Sequence, residues 1–205
     1  MDSDHRAVVE YANRTVQGIA GDISRAVALY AAIRVGFQNN PYRIDLRPPA
    51  LKASALLRRD YGYCVEKANL LGACARALGI PARLGFANVR NHIGTARLEK
   101  MLRTDVLVFH GYVELYLEEH WVKATPAFNA ALCRRLGVAP LAFDGRHDSL
   151  FQQYDSSGGK FMEYLHDYGT FPDVPRELFL DELKKHYPHI FEHPQPYSDE
   201  LYIMT

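Results

Sequence analysis

Apolar residues recur at helical spacing along the first forty positions, as Val8, Val9, Ala12, Val16 and Ile19. After Gly21-Asp22 the pattern repeats in Ile23, Ala26, Val27, Tyr30, Ile33 and Phe37, which predicts a second helix. Asn39-Asn40-Pro41 stops the run, and Tyr42 to Pro49, with its adjacent prolines, reads as an irregular crossing to a short helix over Ala50 to Arg58. Asp60-Tyr61-Gly62 breaks the chain again. From Cys64 a helical stripe resumes through Val65, Ala68, Leu71, Ala75 and Leu78, widened by Ala73, Cys74 and Ala77, and Gly79 ends it. Small residues at Ala68, Gly72, Ala73 and Ala75 let neighbouring backbones come close, which suits a helix in the middle of a core.

Past Ile80-Pro81 the period changes. Ala82 to Val89 and Asp105 to Leu117 are rich in the β-branched and aromatic residues of strands, with a loop between them through Asn91 and His92. Glu118-Glu119 is short enough to turn, so His120 to Pro126 reads as the returning strand of a hairpin, although the turn lacks an Asn-Gly pair. Asn129 can cap a short helix through Arg135 that ends at Gly137, and Pro175 opens another through Leu178, Phe179 and Leu183, ended by Pro188. Helices, then an antiparallel sheet, then helices again is an α+β order. Ser156 to Gly159 reads as a loop and not a boundary, so residues 1–205 are taken as a single domain.

Composition narrows the function. Lys plus Arg equals Asp plus Glu, with no basic stripe, so the electrostatic footprint of a nucleic-acid partner is missing. The longest apolar runs, such as Val106 to Phe109, are too short to span a bilayer, and Met1-Asp2-Ser3-Asp4 does not open a secretory signal, which leads to the expectation of a soluble, cytoplasmic protein. The three cysteines, Cys64, Cys74 and Cys133, fit a reducing compartment better than a disulfide framework. On one helix Cys64 and Cys74 lie about 15 Å apart along the axis, whereas a disulfide needs Cα atoms within roughly 7 Å.

A cysteine in the first turn of a helix meets unpaired N–H groups and the positive end of the dipole, which favour thiolate, and its own N–H can donate to an oxyanion. Cys64 is so placed. Taken alone, a cysteine is more often a small buried hydrophobe, and Cys74 and Cys133 keep that reading. A thiol acyl-transfer enzyme also needs an imidazole near the sulfur, oriented by a third group. In the strand from Asp105 to Leu117 the odd positions Leu107, Phe109, Gly111, Val113, Leu115 and Leu117 are apolar. His110 falls on the other face with Tyr112, Glu114 and Tyr116. A two-residue turn at Glu118-Glu119 pairs Leu117 with His120 and sets Tyr112 opposite Thr125, which puts Thr125 on the face of His110. Tyr61, Tyr63, Tyr42 and Trp121 are aromatic candidates for a cleft wall, with core packing as the plainer reading. His186, His189 and His193 do not form a metal site on this pattern, because Pro188 and Pro194 break any helix that would gather them; no metal and no cofactor is expected.

Gly62-Tyr63-Cys64-Val65-Glu66-Lys67-Ala68, followed by Arg76-Ala77-Leu78-Gly79-Ile80-Pro81-Ala82-Arg83, resembles the core of the transglutaminase-like superfamily. His110-Gly111-Tyr112-Val113-Glu114-Leu115 and Trp121-Val122-Lys123-Ala124-Thr125-Pro126 are similar to that superfamily's histidine strand and third-residue strand. The resemblance covers about Ser54 to Pro126 and is closest to bacterial members. It implies a papain-like α+β fold and a Cys-His-Asp triad that makes and breaks a thioester with an amide substrate. The nucleophile then falls on Cys64 and the base on His110. The third position departs from the pattern, since Thr125 stands where the family usually has aspartate; a hydroxyl can accept a hydrogen bond from imidazole but carries no charge against an imidazolium. Asn129, Asp105, Asp144 and Asp148 remain alternatives for the third member. The resemblance implies hydrolysis of a peptide or protein amide. Transfer of the acyl group to an amine, and a degenerate domain that binds a peptide or partner, stand as alternatives.

Overall fold

A computed structural model describes residues 1–92, 96–150, 159, 161–192 and 202–204. Of the Ser156 to Gly159 run only Gly159 lies inside these residues, and His193 lies outside them. The chain opens with α1 (Arg6–Thr15), α2 (Asp22–Gly36), β1 (Gln38–Asn39), β2 (Arg43–Asp45), α3 (Ala53–Leu56), β3 (Tyr61–Gly62) and α4 (Cys64–Ala77). It continues through β4 (Ala82–Asn91), α5 (Ala96–Leu102), β5 (Val106–Leu117), β6 (His120–Ala124) and α6 (Ala130–Leu136). Last come β7 (Met162–Phe171), α7 (Arg176–His186), α8 (Pro188–Glu192) and β8 (Tyr202–Met204). The architecture is α+β.

The helical stripe that begins at Cys64 becomes the middle of the molecule. Every residue of α4 from Val65 to Ala75 is buried, with α1, α2 and α3 against one side and β5 against the other. Burying Leu70 and Leu71, both fully inaccessible, contributes about 1.5–3 kcal/mol each. At Gly72, where α4 crosses the sheet, a Cβ would sit 3.1 Å from Met1 Cε and 3.3 Å from Val113 Cγ2, tighter than ordinary packing.

The sheet is antiparallel, in the order β6-β5-β4-β7. The hairpin forms in the expected register, Leu117 opposite His120. Both turn residues adopt left-handed backbone, φ 45° at Glu118 and 69° at Glu119, the conformation of a two-residue hairpin turn without the usual glycine. Arg146 holds the turn by pairing with the Glu118 carboxylate.

Two expectations are corrected. The crossing from Tyr42 to Pro49 contains β2, which pairs in parallel with β8 more than 150 positions away, a short non-local ladder that periodicity cannot show. The helix expected over Ala50 to Arg58 narrows to α3, and α5 follows closely on the loop at Asn91 and His92. The fourth strand, β7, lies in a stretch to which the sequence assigned no element; its alternation is weak because much of it is exposed. The C-terminal helix α7 stops at His186, ahead of Pro188 as expected, and Pro188 begins a further short helix, α8.

Candidate active site

Cys64 is the first residue of α4 and is half-buried, while Cys74 and Cys133 are buried. Tyr63 precedes it in extended backbone, and its N–H donates to Glu66 Oε2 at 3.1 Å, closing the first turn from within. Arg59 pairs with the same carboxylate. Burial pushes Glu66 up to about 7, against the pull of that guanidinium.

Gly111 brings the helix end to the strand. A Cβ at Gly111 would lie 2.8 Å from Val65 Cα and 3.2 Å from Val65 N, both backbone atoms that cannot swing away. With hydrogen in that place, the strand comes close enough for the backbone of Gly111, with that of Val65 and Cys64 itself, to favour the thiolate. The helix end alone leads to the expectation of a lowered thiol pKa. Burial outweighs these backbone groups and pushes Cys64 up to about 11.

His110 is 3% exposed, and burial pushes its imidazole down to about 3. At neutral pH the pair is therefore thiol and neutral imidazole. Both side chains line one cavity of about 80 Å³ at the end of α4. Its other walls are mostly apolar, among them Leu98, Leu102, Leu107, Phe109, Phe179 and Leu183.

A β-bulge sets the approach of β5 to this cavity. Ala87 pairs with His110, but Val89 pairs with Leu107, so β5 holds one residue more than β4 between these pairs. Phe109 absorbs the excess at φ 60°, an uncommon conformation for a bulky side chain. Its ring is stacked between Phe86 and Phe179, with centroids 4.5 Å away on each side. Asn88 Oδ1 accepts the Phe109 N–H at 3.0 Å. Tyr187 Oη accepts the Val108 N–H at 2.8 Å and donates to the Val106 carbonyl at 2.7 Å. The odd-even alternation read from the sequence thus holds from His110 to Leu117 and shifts at Phe109. Asn88 and Tyr187 were not singled out in the sequence; a polar residue inside an apolar strand, as at Asn88, was the available signal.

Thr125 follows Ala124, which pairs with Val113, so Thr125 lies opposite Tyr112 and diagonal to His110. It is 1% exposed, and its Oγ1 has no hydrogen-bond partner among the described residues. Its backbone is fixed by a bond from its N–H to the Ser149 carbonyl and by Tyr30 Oη, which donates to its carbonyl at 3.2 Å. The alternative third members are engaged elsewhere. Asn129 Oδ1 caps α6 through the Leu132 N–H, Asp105 pairs with Arg90, Asp144 with His147, and Asp148 accepts the Lys123 N–H.

Of the aromatic candidates, Tyr63 lines the cavity and Tyr42 an adjoining one, whereas Trp121 lies under Arg83 at 4.0 Å on the half-exposed sheet surface and Tyr61 under Arg59. Lys67, one helical turn after Cys64, is fully buried and donates to the carbonyls of Arg34, Phe37 and Ala127 at 3.2, 2.8 and 2.9 Å. Burial, helped by the charge of Arg34, lowers it to about 7. The ammonium joins α4 to the ends of two segments that border the cavity. His186 pairs with Glu182, and His189 bonds the Met101 carbonyl. Among the described residues no three His, Cys, Asp or Glu side chains are grouped as metal ligands, and no helix is long and apolar enough to cross a membrane.

Residues 9–126 match the transglutaminase-like superfamily, a span that takes in Cys64, His110 and Thr125. No curated protein matches the chain. Among solved structures, a candidate cysteine protease from Cytophaga hutchinsonii is 17% identical, with 82% of this chain and 50% of that one covered and a TM-score of 0.44. The periplasmic domain of TgpA from Pseudomonas aeruginosa is 22% identical, with 63% and 44% covered and a TM-score of 0.39. A candidate protease from Parabacteroides distasonis is 16% identical, with 57% and 22% covered and a TM-score of 0.39. The chain spans half or less of the length of each of these structures.

Proposed function

This chain belongs to the transglutaminase-like superfamily, and from that premise we propose that it is a thiol enzyme that hydrolyses an amide or peptide bond through a thioester on Cys64. The observation that supports this most is that Cys64, at the first turn of α4, and His110 line one cavity. In this reading the thiol of Cys64 gives its proton to the neutral imidazole as sulfur attacks the substrate carbonyl carbon. The oxyanion is met by the N–H groups of the first helical turn. As the C–N bond breaks, the imidazolium returns the proton to the leaving amine. Water then attacks the thioester, giving a proton to His110 and releasing the carboxylic acid and the thiol.

Because burial holds both groups neutral at rest, the proton moves within the attack and not before it. An imidazolium then exists only transiently. Thr125, diagonal to His110 and with its Oγ1 unpartnered among the described residues, is the candidate for the third position in this proposal. An amine in place of water would make the same thioester a transglutaminase intermediate. Three free cysteines favour a reducing compartment, which we take to be the cytoplasm.

The test is single-turnover acylation by a p-nitrophenyl ester, with peptide mass spectrometry locating the acyl group. Acylation at Cys64, lost in Cys64→Ala and slowed at least tenfold in His110→Ala, is the expected result. A second reading, a binding domain that has lost the reaction, draws on Thr125 and on the raised thiol. It predicts no acyl group on Cys64 at all.

A further inference from the structure

The cavity beside Cys64 has the wrong chemistry for a polar acyl group. At about 80 Å³ it is several times the roughly 10–15 Å³ needed to admit one water on the same measure. It therefore has room for a side group larger than a single water. Its walls offer few hydrogen bonds. Tyr187 Oη is already committed to the backbone of Val106 and Val108, and the remaining polar atoms near the sulfur belong to Asn39, Tyr63 and His110. Leu98, Leu102 and Leu183 close the far side with side chains that are at most 8% exposed. A cavity walled in this way takes apolar groups, while a polar side group placed in it leaves donors and acceptors unmatched.

The cavity adjoins a second one that shares the walls Asn39, Pro41, Leu98, Leu107 and Phe128 and adds Tyr42, Asn91, Leu132, Arg135 and Leu136, a lining of mixed polarity.

We infer that the acyl donor of this enzyme carries an apolar side group, such as that of leucine or phenylalanine, seated in the cavity against α5 and α7, and not a polar side group. The inference rests on the acyl-transfer reading above for its chemistry and on the cavity alone for its ligand class. Acylation forms the bond between Cys64 Sγ and the acyl carbon, breaks the bond to the leaving group, and leaves the apolar group where it docked.

Two measurements separate the ligand class from the reaction. In the first, Cys64 is acylated with the p-nitrophenyl esters of acetic, isovaleric, phenylacetic and glutaramic acids, each rate divided by that of the ester's spontaneous hydrolysis. Isovalerate and phenylacetate should exceed acetate and glutaramate at least tenfold, the discrimination a hydrophobic slot of this size supplies. Leu102→Trp, or Leu98→Trp should the first variant fold poorly, fills the slot and should bring the isovalerate and phenylacetate rates down to that of acetate in the same variant. In the second, the Cys64→Ala protein is titrated with phenylacetamide and with glutaramide by NMR. Saturable shifts are expected with phenylacetamide only, and Leu102→Trp in that background should remove them. Binding of phenylacetamide without acylation of the native protein by any ester would leave the ligand class standing and remove the acyl-transfer reading. Glutaramate reacting as fast as phenylacetate, or phenylacetamide failing to bind, would overturn the inference.

Discussion

His110 is held neutral by burial and Cys64 is held as a thiol by the same cause, so the chemistry of the site depends on two residues whose charged forms the fold disfavours. For His110 the folded value of about 3 lies below the ordinary imidazole value of 6.5. The unfolded chain therefore binds the extra proton between these values, and stability is lost as pH falls from about 6.5 towards about 3. Urea unfolding at pH 7 and pH 4.5 should show a drop in stability on the order of a few kcal/mol, with a smaller drop in His110→Gln; equal drops in both proteins would remove His110 as the source. Thr125→Asp sets a carboxylate diagonal to the imidazole and should raise the His110 pKa, read by NMR titration, and raise the acylation rate of Cys64. An unmoved titration would place the third member elsewhere. The places of Cys64, His110 and Thr125 in their elements were legible in the sequence because helix position, strand parity and hairpin register are local properties. The direction of the thiol shift was not legible. The helix end can be read from a few neighbouring residues, but the burial that outweighs it comes from β5, α7 and the rest of the fold.

The meeting of α4 with β5 decides whether the two side chains reach one cavity. Gly111 is the narrowest point of that contact, and Gly111→Ala introduces a methyl group 2.8 Å from the Val65 Cα. The strand must retreat, at a cost of about 1–3 kcal/mol, and Cys64 acylation should fall more than tenfold in a protein with native far-UV circular dichroism. Native activity in that variant would mean that the close approach is not needed. The bulge at Phe109 belongs to the same scale: Asn88 and Tyr187 take up the backbone groups that the irregular pairing frees. Periodicity revealed α1, α2, α4, β4 and the β5–β6 hairpin because each has enough buried positions for a pattern. It missed β2, β7 and β8, whose few or half-exposed residues become strands only through distant partners. The bulge was hidden for another reason, since Phe109 fits an apolar face in either phase.

Across the whole molecule one apolar cluster runs from Val8 and Ala12 in α1, through α2, α4 and the sheet, to Phe179 and Leu183 in α7. The N-terminal ammonium of Met1 pairs with Asp173 just ahead of α7, and Arg176 Nε donates to the Leu46 carbonyl at 2.7 Å. This continuity is the basis for the single-domain proposal, and it predicts one cooperative transition on urea unfolding, coincident by fluorescence and circular dichroism. Phe179→Ala removes one ring of the stack that encloses Phe109 and should lower that single transition by about 3–5 kcal/mol without splitting it. Two separated transitions would indicate that the C-terminal elements form a unit of their own. The α+β class was visible in the order of the elements, but the seating of α7 over the cavity was not, because nothing in the tail's own pattern names the strand residue it covers.

The most direct test of the Cys64–His110 pair is the rate of iodoacetamide alkylation at each of the three cysteines, resolved by mass spectrometry, in the native protein and in His110→Ala. Cys64 should react faster than the buried Cys74 and Cys133, with a rate that climbs with pH towards the thiol value of about 11. His110→Ala should slow Cys64 alone, at neutral pH, by at least tenfold. A Cys64 that reacts no faster than the other two, or a rate at Cys64 untouched by loss of the imidazole, would contradict the account.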